Sequence, residues 1–150
     1  MIRLLSDDGR PLIGAYYFFR GDLGKAEEDL ALLAEAAADR LAAQDVSCAV
    51  VNARFVKPLD EELILDLARR TGRVVTVEEA ALAGGFGSAV LELLAAHGLG
   101  GVRWRSLGFP DRFIEQGPRE MLLERYGLSV QGICAAVGAL GVTRLVGANL

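Results

Sequence analysis

Histidine, cysteine and tryptophan are scarce in this chain: 150 residues hold one histidine, two cysteines and one tryptophan. A single histidine, His97, and no G-x-S-x-G setting leave no means of assembling a Ser-His-Asp triad. Cys48 and Cys134 stand far apart and lack the C-x-x-C or Cys/His spacing a metal needs, so they read as two reduced, buried thiols. No apolar run approaches the roughly 20 residues of a membrane span, and the first residues have neither a basic n-region nor a signal-type core. A cytoplasmic protein is expected. Basic residues are also in deficit, 16 Lys and Arg against 20 Asp and Glu, for a net charge of −4. With both signs interspersed there is no basic stripe for nucleic acid and no polybasic cluster for a membrane, which leaves protein or small-molecule partners. Repeats and low-complexity linkers are absent too. Residues 1–150 are therefore expected to form one domain around one core, burying about two-thirds of the unfolded surface.

Apolar periodicity alternates between strand and helix. Ile2–Leu5, a turn over Ser6-Asp7-Asp8-Gly9 and Leu12–Phe19 read as an antiparallel hairpin. From Asp22 or Lys25 to Gln44, Leu30, Leu33, Ala37 and Leu41 recur at helical spacing. Val46–Val51 predicts a strand, Asp60–Thr71 a helix closed by Gly72, and Val74–Val77 a strand. Gly85–His97 predicts a helix and Val102–Leu107 a strand. A short helix lies between Pro118 and Gly127, and a last one runs from a Ser129 cap to about Leu140. The tail from Thr143 is expected to be loose. The pattern predicts an α/β fold: three layers, α/β/α, with a five-stranded, mostly parallel sheet and one antiparallel edge strand. Tyr16, Tyr17, Phe18 and Phe19 in a row would put rings on both faces of their strand, so both faces must be covered.

The candidate chemistry gathers where loops leave the carboxyl ends of strands. In Val50–Asp60 an apolar strand runs into Asn52, Arg54 and Lys57, is stopped by Pro58, and meets a helix cap at Asp60. Arg54 and Lys57, with Arg112 elsewhere, could hold a phosphorylated ligand or merely pair with nearby acids. Glu78 and Glu79 end a predicted strand. Neighbouring strand residues point to opposite faces, which favours anchoring of the next loop or of an interface over an acid/base pair. Gly84, Gly85, Phe86, Gly87 and Ser88 open a helix whose free amides could receive an anion, or pack closely on the sheet or another subunit. Val90 stands where a dinucleotide fingerprint needs its last glycine. Trp104 reads as core or interface.

Three blocks, VVNARFVKPLD (Val50–Asp60), VTVEEAALAGGFGSAV (Val75–Val90) and LGFPDRFIEQG (Leu107–Gly117), resemble in order and spacing the carboxy-terminal domain of 1-deoxy-D-xylulose-5-phosphate synthase. That enzyme belongs to the thiamine-diphosphate-dependent transketolase superfamily. The resemblance runs from Val50 to about Ile133, and residues 1–45 depart from it. It implies the last third of a longer enzyme, a five-stranded mixed sheet with one strand reversed, and a homodimer-building role beside catalytic domains or a catalytic subunit. The full enzyme would condense pyruvate with glyceraldehyde 3-phosphate on thiamine diphosphate and Mg2+ for isoprenoid precursors. The family's G-D-G…N metal motif is missing, since Gly21-Asp22-Leu23 lacks the second glycine, so this chain is expected to bind no cofactor alone and to be inactive in isolation. A stand-alone anion- or nucleotide-binding module, or a carboxy-terminal subunit of a split transketolase or 2-oxoacid dehydrogenase, stays open beside it.

Overall fold

Strand and helix alternate along a computed structural model that describes residues 12–18, 25–53 and 55–141. The elements are β1 (Leu12–Phe18), α1 (Lys25–Ala42), β2 (Ser47–Asn52), α2 (Glu61–Thr71), β3 (Arg73–Ala81), α3 (Phe86–Ala96), β4 (Arg103–Phe109), α4 (Arg119–Arg125) and α5 (Val130–Ala139). Local chemistry sets several of their ends. The Asp60 carboxylate accepts the Leu63 amide at 3.2 Å to open α2, and Gly72 closes that helix in the left-handed region with φ 61°. Ser129 Oγ accepts the Gly132 amide at 3.2 Å and opens α5 in the same way.

The described strands form one sheet in the order β2-β1-β3-β4, and all three pairings are parallel. The middles of β2 (Ala49, Val50, Val51) and β3 (Val74, Val75, Val77) are apolar and buried, as in strands covered on both faces. Their alternation splits the core. Val50, Val75 and Val77 join Leu30, Ala37 and Leu41 of α1 with Ile133 and Val137 of α5. Ala49, Val51 and Val74 join Ile64 and Leu67 of α2 with Phe86, Val90 and Leu94 of α3.

Two expectations change. Turn chemistry makes the run Leu12–Phe19 the second arm of an antiparallel hairpin, yet β1 is flanked by parallel neighbours on both edges. Ala15, for instance, lies between Val50 and Val75. With both rows of backbone groups engaged, β1 has no edge left for a hairpin partner. The proposed first arm, Ile2–Leu5, its turn, Phe19–Gly24 and the tail from Thr143 lie outside the described residues, and the described sheet has four strands. β3 also outruns its predicted span of Val74–Val77, continuing to Ala81 through a register shift against β4. The polar pair Glu78-Glu79 does not end the strand, because each carboxylate has a partner close by.

Candidate functional site

β3 carries Glu78 and Glu79 to the carboxyl edge of the sheet, and the strand's alternation sends them to different tasks. Glu78 is fully buried. Its Oε2 accepts the Phe86 amide at 2.7 Å and its Oε1 the Gly87 amide at 2.9 Å, so an internal carboxylate caps the first turn of α3. Burial pushes the Glu78 carboxyl above its ordinary value, while those two amides pull the other way. Thr76 and Ser106 hydrogen-bond to each other through their hydroxyls beside it. Gly87 lies against this polar group so tightly that a Cβ there would overlap Ser106 Oγ and come within 2.7 Å of Thr76 Oγ1. A Cβ on Gly85 would overlap the Glu78 carboxylate. The glycines therefore serve close approach of α3 to the sheet.

The Gly84 and Gly85 amides are engaged as well. Gly84 N–H donates to Ser88 Oγ at 3.1 Å, Ser88 Oγ donates to the Leu82 carbonyl at 2.8 Å, and Gly85 N–H reaches that carbonyl at 3.5 Å. An external anion would have to displace Glu78 to use the Phe86 and Gly87 amides.

Glu79 turns outward and takes Arg119 as a bidentate partner at 2.7 and 2.6 Å, tying β3 to the first turn of α4. Glu115 receives the Tyr126 hydroxyl at 3.1 Å and pairs with Arg125. The Tyr126 ring meets Phe109 edge to face, with centroids 5.3 Å apart. The segment between β4 and α4 is thus pinned from both ends. Sequence reasoning missed Arg119, whose partner lies 40 positions away.

Two clefts open on this edge. One, of about 610 Å3, runs between the β2–α2 and β3–α3 loops beside Phe55, Lys57 and Gly84; the other, of about 500 Å3, lies along Phe109–Ile114. They share Ala81. Phe55 and Phe113 stand out from their rims, 67% and 104% exposed. Lys57 and Arg112 are exposed beside them, and Arg54 lies outside the described residues.

His97 only closes α3, and Trp104 packs at the margin of the α2–α3 core. Both cysteines pack against the α1–α5 core, where burial pushes the Cys48 thiol up to about 12 and raises that of Cys134. Among the described residues no three His, Cys, Asp or Glu side chains gather as metal ligands. With that donor set, and with a carboxylate already seated on the α3 amides, the described residues do not fit thiamine diphosphate and its Mg2+.

Residues 31–133 match the family described as transketolase, C-terminal domain. The chain belongs to this family. The matched span holds all three motif blocks and most of α1, so it reaches back beyond Val50. Among curated proteins, this transketolase C-terminal domain is 57% identical to 1-deoxy-D-xylulose-5-phosphate synthase 1 of Geobacter metallireducens over 69% of the chain and 17% of that protein. It is 58% identical to synthase 1 of Geobacter sulfurreducens, over 69% of the chain and 16% of that protein. The synthase of Symbiobacterium thermophilum is 48% identical over 81% of the chain and 20% of its own length. The chain thus spans a fifth or less of the length of these relatives. The solved structure of a split gene transketolase, an inactive beta4 tetramer, superposes with a TM-score of 0.72 at 32% identity, over 88% of this chain and 40% of that one. No helix among the described residues is long and apolar enough to cross a membrane.

Proposed function

We propose that this chain is the carboxy-terminal assembly domain of a 1-deoxy-D-xylulose-5-phosphate synthase-like enzyme. In the whole enzyme, other domains or a partner subunit would hold thiamine diphosphate and Mg2+ and condense pyruvate with glyceraldehyde 3-phosphate in the cytoplasm. The observation that carries this reading is the 48–58% identity to synthases over no more than a fifth of their length. The carboxyl-edge geometry supports it: Glu78 and Glu79 are spent on structure, and the exposed groups nearby include two aromatic rings beside Lys57 and Arg112, an arrangement suited to contact with protein. A homodimer is the assembly proposed. On the same reading residues 1–150 form one three-layer domain whose sheet gains a fifth, antiparallel strand from Ile2–Leu5. A subunit of a split transketolase is the second reading, favoured by the likeness to the split gene transketolase tetramer.

Activity measurements separate these. With thiamine diphosphate, Mg2+, pyruvate and glyceraldehyde 3-phosphate, the purified chain should form no product. Added to Geobacter sulfurreducens synthase 1 shortened by its matched segment, it should restore product formation. Turnover by the chain alone, or no restoration, would overturn the assembly role; restoration of ketose-to-aldose transfer in a split transketolase instead would select the second reading.

A further inference from the structure

We infer that the aromatic rim of the carboxyl edge, Phe55 on the β2–α2 loop and Phe113 on the β4–α4 loop, is the seat on which the catalytic part of the longer enzyme docks. This rests on the assembly reading above and names its surface. Phenylalanine gains nothing from water, yet these two rings are 67% and 104% exposed while Phe86, between them in sequence, is fully buried. Each borders a cleft, and the clefts meet at Ala81, so knobs and hollows form one continuous surface.

That surface is held ready. Arg119 on Glu79 and Glu115 between Arg125 and Tyr126 fix the β4–α4 segment before any partner arrives, which lowers the ordering cost of binding. Among the described residues the other large exposed apolar side chains, Leu32, Leu91 and Met121, lie singly on three different helices. Two phenylalanines can bury roughly 300–500 Å2, a sizeable part of a 600–1,500 Å2 interdomain contact. The occupant follows from chain length. Both phenylalanines fall inside the 31–133 match, and the synthases that share this segment carry four-fifths or more of their chain beyond it. That remainder is the protein beside which such a domain must sit.

Titration calorimetry of the 150-residue protein into Geobacter sulfurreducens synthase 1 shortened by its matched segment tests this, with circular dichroism of both components recorded first. The wild-type chain should bind. A double variant, Phe55→Ser with Phe113→Ser, should keep its dichroism and melting temperature but bind about 30-fold or more weakly. Leu32→Ser, on α1, should bind as wild type. Equal binding by the double variant, or loss through Leu32→Ser, would overturn the surface while leaving the assembly role standing. Absence of any complex would overturn both. Sedimentation of the chain alone gives the last arm: self-association abolished by the double variant would make a second copy the occupant and overturn the inference.

Discussion

Glu78 is a carboxylate used as a helix cap from outside the helix. Placed on β3, it meets two of the four unsatisfied amides of α3, whose own N-cap, Gly85, offers no side chain. Glu78→Gln keeps the shape but turns an NH2 toward one of those amides, leaving a buried donor unpaired. Chemical denaturation should report a loss of about 1–3 kcal/mol. Its pH dependence has a defined sign. Folded Glu78 keeps its proton to higher pH than the unfolded side chain, which releases it near 4.3. Across that window the folded state binds more protons, so this contribution to stability is full below about pH 4.3 and declines as pH rises. The gap between wild type and Glu78→Gln should therefore narrow from acidic to neutral pH; a gap that widens would exclude the raised value.

At the scale of elements, the bond between β3 and α4 is one of the contacts that order a long loop. Arg119 binds Glu79 through two parallel hydrogen bonds, with side chains 39% and 14% exposed, so the pair sits partly in solvent. Arg119→Lys retains charge and loses the fork. The expected cost is at most about 1 kcal/mol, shrinking in 1 M salt as the charge is screened. Amide exchange over 110–118 should quicken in this variant while exchange in β2 and α2 stays unchanged; uniform quickening would mean the pair supports the whole fold rather than this segment.

For the molecule as a whole, two apolar clusters share one sheet. Leu67 lies in the α2–α3 cluster and Ile133 in the α1–α5 cluster, each nearly or fully buried, and the same strands line both. Leu67→Ala and Ile133→Ala should each cost about 2–5 kcal/mol. Both should lower a single transition, coincident by far-ultraviolet dichroism and by Trp104 fluorescence, because neither cluster can melt without unpairing strands that hold the other. Two separated transitions in either variant would show that the faces unfold independently.

Helix ends and strand cores were legible in the sequence because their causes are local. Asp60 reaches Leu63, Ser129 reaches Gly132, and Gly72 needs only its own backbone freedom. The opposed directions of Glu78 and Glu79 were legible too, since strand alternation is a property of consecutive residues. The place of β1 was not: hairpin turn chemistry suggested a local partner, whereas β2 and β3, more than thirty residues on, took both of its edges. Nor was the extent of β3, because a charged pair reads as a strand end until amides eight and nine residues away and Arg119 forty residues away make it tolerable. By itself the sequence determined which segments are helix or strand, and which loops share the family's motifs. Only the tertiary structure decided strand order, the burial of a carboxylate and the exposure of Phe55 and Phe113. Those depend on groups distant along the chain, brought together by packing.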